Sequence, residues 1–428
     1  MYTISKNLKL TAIILMVVGA IGLIYGFINV PSSVEEVHEI LAAQDDHGHG
    51  DVAHVDHAHD DEHAEHVFHQ LQNKPWASIY TAALFFFLLS LGALAFYAIQ
   101  IAAQAGWSPV LFRVMEGVAA YIFPGGVIVF VLLVLSSLHF NHLFIWMDAD
   151  VVAHDEIIAN KTGYLNVPFF LIRAAIFIGG WAFFYSRFRK NSLKLDEGFD
   201  LQLFKKMFKL SAVFLVFFIV TESIMSWDFI MSIDTHWFST LFGWFVFASL
   251  FVSGITTIAL VTLYLKSKGH LQEVNDSHIH DLAKFMFGIS IFWEYLWFSQ
   301  FLLIWYANIP EEAVYYVQRI EQYPLLFFGT FFLNFFLPLV ILINTEFKRI
   351  PWIVSLAGII ILIGHYVNFY VMIMPGTVGE SWSFGPAEIG SILLIGGLFL
   401  WVVFTALSKA PLVIKNYPLL KESKHFHY

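Results

Sequence analysis

Long apolar runs separated by short polar stretches dominate this chain, and they fix its elements before any other feature does. A helix needs about 20 apolar residues to cross the hydrocarbon of a bilayer. Ten such runs occur: Leu10–Val30, Ser78–Ala103, Gly117–Leu138, Leu165–Tyr185, Leu210–Ile230, Leu241–Leu265, Phe285–Tyr306, Pro324–Ile343, Pro351–Met372 and Ile389–Leu407. Each is apolar around its whole circumference, unlike an amphipathic surface helix. Period-two alternation is lacking, which argues against a membrane barrel. Backbone in lipid must satisfy its own polar groups, so the runs read as helices. The pattern predicts an all-α polytopic membrane protein with about ten transmembrane helices.

Charge then orients the runs. With the N-terminus in the cytoplasm, 19 of the 23 Lys and Arg residues fall in inside segments and three, Lys74, Lys161 and Arg319, fall outside. Arg173 is left within a span. A bias of this kind follows the rule that cytoplasmic loops carry the cations, and a miscounted span would scramble it. The expected arrangement is a multi-pass protein of a bacterial inner membrane with both termini cytoplasmic. Lys6 and Lys9 precede the first run in the manner of a signal peptide. The run is too long for one, and no small-x-small cleavage site follows directly, so it reads as a retained anchor.

Composition narrows the class further. Hydrophobic types make up 58% of the 428 residues and charged types 13%. The charged share is about half that of an ordinary soluble domain. Disordered proteins, nucleic-acid binders and most soluble enzymes are thereby excluded. With no cysteine in the chain, iron–sulfur clusters, disulfides, zinc–thiolate sites and cysteine nucleophiles are excluded as well. Bis-histidine haem ligation across a membrane needs paired histidines at matching depth, and His365 alone is deep. No G-x-G-x-x-G opens a helix, and the pairs Gly125–Gly126 and Gly179–Gly180 read as helix-packing positions.

Segment 31–76, between the first two runs, reads as an outer loop rich in histidine and acid. It holds nine of the 19 histidines. Imidazole and carboxylate together can bind a divalent metal, with His57, His59 and His63 as candidate ligands. The irregular spacing fits a solvated acidic loop equally well.

Ionisable side chains inside spans are costly and mark function or pairing. From the rise per residue, Glu222 lies about 20 Å from the inner end of the fifth run and Arg173 about 21 Å from that of the fourth. Matching depth predicts an ion pair or a shared polar pocket between them. Glu294 lies about 15 Å up the seventh run and His365 about 24 Å up the ninth. Glu116 sits at the inner mouth of the third run, His139 and His142 at its outer end, and Asp148 beyond. Asp228 and Asp234 close the outer end of the fifth. A ladder of carboxylates and imidazoles suits proton relay through water. A buried structural ion pair and a hydrogen-bonded core histidine are the plainer readings of Arg173 and His365.

Three segments carry a family resemblance: Trp227–Thr240 (WDFIMSIDTHWFST), Trp293–Gln300 (WEYLWFSQ) running on to Leu303–Glu312 (LIWYANIPEE), and Lys161–Asn166 (KTGYLN) leading to Arg173. These resemble the NrfD/polysulfide-reductase membrane-anchor family, and within it the quinone-binding-type membrane subunits of alternative complex III, a bacterial quinol:electron-acceptor oxidoreductase. The short length and the long loop after the first run resemble the second, smaller of its two paralogous subunits.

The resemblance implies two four-helix bundles plus flanking helices. The boundaries are residues 1–30 for an N-terminal anchor, 31–76 for the loop, 77–235 and 236–373 for the two bundles, and 374–428 for the last helix and a cytoplasmic tail. It implies a respiratory subunit that is not catalytic alone and holds no redox metal. Its partners would be the paralogous membrane subunit, an iron–sulfur subunit and multihaem cytochrome c subunits, which supply haem c and the iron–sulfur clusters. A terminal oxidase and lipids complete the set, with no nucleic acid. Menaquinone or ubiquinone would be the quinone. The proton pathway would use Glu222, Arg173, Glu294, His365, Glu116 and Asp228. The outer mouth or quinone contact would use His142, Asp148, Asp234 and His236. Two other functions fit the residues: a transporter for a divalent metal or other solute, and a purely structural assembly subunit. The motif at Trp227–Thr240 also fits a re-entrant loop whose aromatics anchor the interface.

Overall fold

A computed structural model describes residues 2–45 and 57–427, and of residues 39–40, 42–45, 57–63 and 66 only the backbone. Among the described residues there is no strand, and ten helices are long and apolar enough to cross a membrane. The elements in chain order are α1 (Lys6–Ile28), α2 (Val34–Asp45), α3 (His57–Ala102), α4 (Phe112–Ala119), α5 (Ile122–Ser137), α6 (Ala149–His154), α7 (Glu156–Asn160), α8 (Val167–Leu195) and α9 (Leu201–Phe229). They continue with α10 (Phe242–Ser267), α11 (Asp276–Ala307), α12 (Pro310–Gln322), α13 (Pro324–Phe331), α14 (Leu337–Leu342), α15 (Pro351–Val378), α16 (Pro386–Ser408) and α17 (Leu420–Lys424). A π-helical turn, Phe332–Phe336, joins α13 to α14 in one span.

Local sequence sets the ends. Pro310, Pro324, Pro351 and Pro386 each stand at the first turn of their helix, where the missing N–H costs nothing. Asn166 caps α8 by accepting from the Phe169 amide at 3.1 Å, and Asn308 closes α11 in the left-handed conformation (φ 47°).

Packing makes two four-helix bundles. In the first, α3 packs on α4 and α5, α5 on α8, α8 on α9, and α9 back on α3. In the second, α10 packs on α11, α11 on α14, the α13–α14 span on α15, and α15 back on α10. Helices α3 and α10 pack on each other across the junction, and their spanning windows are each 89% buried, so they form the centre of the molecule. Their backbones touch where Gly92 meets Leu250 and Gly254 meets Leu89–Ala93. Outside the bundles, α16 rests on α3 and α4, and α1 rests on α16.

Segment 31–76 differs from the loop expected of it. It contains α2 and the projecting stem of α3, whose 46 residues reach about 69 Å, twice the hydrocarbon thickness. The stem is mostly polar, but Ala64, Val67, Phe68 and Leu71 recur at i, i+3, i+4 and i+7 and are buried or half-buried, a short helical stripe inside the acidic segment. Its base is tied down by Gln70 to Ser381 (3.2 Å), Asn73 to His142, and Lys74 to Ser383 (2.5 Å). The side chains of His57, His59 and His63 lie outside the described residues, as do His47, His49 and His54 altogether. Gly126 and Gly180 do pack closely, against Ile178 and Phe217, whereas Gly179 faces open space.

Candidate functional site

At the histidine end of the molecule the two bundles part around a cavity of about 790 Å³. That is the size of a small-molecule site. Four elements supply its walls: the α3 stem, the segment after α5, the turn between α9 and α10, and α12 with the end of α15. Four sequence-derived candidates, His142, Asp148, Asp234 and His236, all line it. His69 and Glu311 add an imidazole and a carboxylate.

Each wall is fixed by its own contacts. The His142 backbone amide donates to Asn73 Oδ1 at 2.9 Å and its carbonyl accepts from Asn73 Nδ2 at 3.2 Å, clamping the loop to the stem. The His142 ring lies 6.2 Å from His69 and 6.4 Å from His139, centroid to centroid. Burial lowers the His142 pKa, with the Asp148 carboxylate opposing and the two histidines reinforcing the shift. The imidazole is therefore neutral near pH 7 and offers one acceptor and one donor. On the opposite wall Arg319 Nη2 donates to Asp234 Oδ2 at 2.8 Å. Tyr315 is sandwiched between the Trp237 ring (3.8 Å, 12°) and the Arg319 guanidinium, 3.4 Å from its centroid. His236 Nε2 meets Asp155 Oδ2 at 2.5 Å, and Lys161 donates to the Thr235 carbonyl. Gly379 floors the cavity with φ 54° and ψ −128°, a backbone conformation open to glycine alone, and its carbonyl accepts from Tyr323.

One layer below, Arg173 pairs with Asp228 through Nε (2.7 Å) and Nη2 (3.0 Å), and Tyr164 donates to the same carboxylate at 2.8 Å. The pairing expected between Arg173 and Glu222 is not made. Asp228 lies one and a half turns nearer the end of α9 and reaches the guanidinium first. Glu222 is buried, and its Oε1 has no protein partner. Ser232 links the buried pair to the cavity wall, since its hydroxyl donates to the Asp228 carbonyl at 2.5 Å and accepts from Trp146 Nε1 at 3.3 Å.

The remaining candidates separate by bundle. Glu116, in the first, accepts from Tyr97 (2.8 Å), Arg113 (3.1 Å) and Arg189 (2.5 Å), and Arg113 also holds Asp196. This is a closed ionic knot. Glu294 and His365 belong to the second bundle, so the titratable groups form two files, not one ladder. Sequence reasoning missed Tyr315 and Asn334. The first lies on α12 at i−4 from Arg319, on one face of a short amphipathic helix. The second is a lone amide inside Phe331–Leu339, and that isolation was readable. Among the described residues no three His, Asp or Glu side chains gather closely enough to hold a metal ion.

The chain matches no family model and no curated protein. The class that fold and site define is an all-α, multi-pass membrane protein with a cavity, apolar-walled and edged by histidines and carboxylates, at one end of paired four-helix bundles.

Proposed function

We propose that this chain is an integral membrane subunit of a quinol oxidoreductase of the alternative complex III type, the smaller of its two NrfD-like membrane subunits. It sits in a bacterial inner membrane with the histidine end in the periplasm. It acts as scaffold and proton pathway, and its end cavity contacts the quinol. Electron carriers, haem c and iron–sulfur clusters, belong to partner subunits, and the electrons pass on to cytochrome c or an oxidase.

One observation carries this reading: His142, Asp148, Asp234 and His236, scattered over 95 positions of sequence, converge on one cavity with aromatic walls. Quinol, menaquinol or ubiquinol, gives up two protons and two electrons as it is oxidised. Neutral His142 beside Asp148 has a ring nitrogen free to accept a proton from quinol. Trp237 and Tyr315 give a flat apolar wall for a quinone ring. Asp234 is held by Arg319, which orients its free oxygen.

Mild-detergent purification through a tag on this chain tests the assignment. Recovery of polypeptides with the absorption of c-type haem and the paramagnetic signal of reduced iron–sulfur clusters is expected. A tagged chain that purifies alone from a respiring membrane overturns it. In the recovered complex, the double replacement His142→Gln and Asp148→Asn is expected to slow quinol oxidation at least tenfold, and unchanged turnover removes the cavity from the reaction.

A further inference from the structure

The second bundle has a polar centre around Asn334, a residue to which the roles above assign nothing. Asn334 is fully buried in the π-helical turn of its span, and neither its Oδ1 nor its Nδ2 has a protein partner. His365 is equally buried, with both ring nitrogens unpartnered. Ser290 Oγ and Glu294 Oε2 are unpartnered too. Buried polar groups are paired in the great majority of native sites, and π-turns concentrate where function demands them.

Contacts between neighbouring helices bring these residues near one another. Asn334 is ten residues into its span, about 15 Å from the histidine end and near the midplane. Its amide lies directly against Gly364, the neighbour of His365. Trp297 packs on Phe327 (5.2 Å) and Phe331 (6.2 Å), so one turn further along the antiparallel pair brings Trp293 and Glu294 level with Asn334. Trp293 meets the His365 ring edge-on at 5.4 Å, and its Nε1 donates to Ser249 Oγ, which also accepts from Asn368. Three neighbouring helices thus each bury donors and acceptors that no protein group receives.

A small void lies between this region and the end cavity. Gln300, whose Nε2 is unpartnered, lines this void of about 20 Å³ with Asn368, Arg319 and Tyr315. That volume admits one water. Tyr315 lines both the void and the end cavity.

We propose that Asn334, Glu294, Ser290 and His365 enclose a cluster of bound water at the membrane midplane, continuous with the end cavity past Gln300 and Arg319. Asn334 is its positioning residue. Its carbonyl accepts from one water and its amide donates to another, bridging the Glu294 carboxyl to the His365 imidazole. A proton leaving Glu294 breaks one O–H bond and forms another on water, and the water passes a proton to a His365 nitrogen. No electron or co-reactant is consumed. The proton role rests on the function proposed above, whereas the hydration does not.

Radiolytic hydroxyl labelling, read by mass spectrometry on the full chain in detergent, marks side chains that touch bound water away from bulk solvent. Trp293 is expected to be labelled. Asn334→Leu is expected to cut that labelling at least tenfold, and Asn334→Ser, which leaves room and a hydroxyl, to keep it within twofold. In the intact complex the leucine variant is expected to lower proton release per quinol without changing KM for quinol, and the serine variant to restore it. Should the leucine variant not assemble, Gly364→Ala, whose methyl must displace the Asn334 amide, is expected to give the same loss. Unlabelled wild-type Trp293, or full labelling in Asn334→Leu, overturns the proposal even in an active complex. A labelled Trp293 in a chain that supports no quinol oxidation upholds the water cluster and sinks only the functional reading.

Discussion

Arg173 and Asp228 show how a charge survives inside the first bundle. The guanidinium is 7% exposed and the carboxylate wholly buried, so each depends on the other and on Tyr164. Phe169 and Tyr164 cover the guanidinium at 4.2 and 4.0 Å. Removing one partner of such a pair leaves an uncompensated buried charge, at a cost of about 3–5 kcal/mol, whereas replacing both by apolar groups is close to neutral. Asp228→Asn is therefore expected to lower the thermal midpoint of the detergent-solubilised protein sharply, and Arg173→Leu with Asp228→Leu to recover most of it. Equal losses in the two would assign the charge a role other than mutual compensation. His142 gives a pH prediction. Its folded pKa is lowered by burial, so as pH falls the unfolded chain takes the proton first, near pH 6.5. Stability is lost as pH drops below that value and is fully present above it. Wild type is expected to lose more thermal stability than His142→Gln between about pH 7 and 5, and parallel curves would show the imidazole already solvated. Quinol oxidation, needing the neutral ring, is expected to persist below the ordinary histidine range.

The spans were legible because a run of about 20 apolar residues has one solution in lipid. Each run coincides with a spanning helix to within two residues where it extends past it, the third being shared by α4 and α5, and several helices overshoot their runs by up to about three turns, since polar turns at either end continue the helix at no cost in solvent. The stem of α3 is the extreme case: histidines and acids dominate it, but Ala64, Val67, Phe68 and Leu71 keep a helical spacing, and Ala, Glu, Gln and Leu between His57 and Asn73 sustain a helix. Depth arithmetic placed Arg173 and Glu222 level but could not say which carboxylate on α9 faces α8, which is a matter of helical phase. The seam of α1 on α16 had a readable mark that went unused, the Gly22-x-x-x-Gly26 spacing of close helix packing. Gly19, Gly22 and Gly26 meet Ala387, Gly390 and Leu394 so closely that an added Cβ strikes backbone at Gly19 and Gly390. Gly390→Leu is expected to detach α1 while leaving the two bundles intact. A disulfide between cysteines introduced at Gly26 and Ala387, which face each other across the seam, should then form in the otherwise native chain and fail in the Gly390→Leu background. Its persistence would show that α1 is held by contacts elsewhere.

At the scale of the molecule, the paired bundles present two ends of opposite character. One carries nearly all the lysines and arginines and both termini, and the other carries the cavity, the α3 stem and three cations that are all engaged. Lys74 reaches Ser383, Lys161 the Thr235 carbonyl, and Arg319 the Asp234 carboxylate. The quinol reading depends on this asymmetry of charge, because the cavity must open where released protons leave the cell interior. The absence of cysteine makes the test direct, since any thiol introduced is the only one. Glu156 is exposed beside the cavity and Lys421 is exposed at the other end. In intact spheroplasts a membrane-impermeant maleimide is expected to label Glu156→Cys at once and Lys421→Cys only after permeabilisation. The reverse pattern would set the cavity facing the cytoplasm. His142 and Asp148 would then take protons from the wrong side for a periplasmic quinol oxidation, and the proposed function would fall, while the two-bundle fold and the buried polar centre around Asn334 would stand.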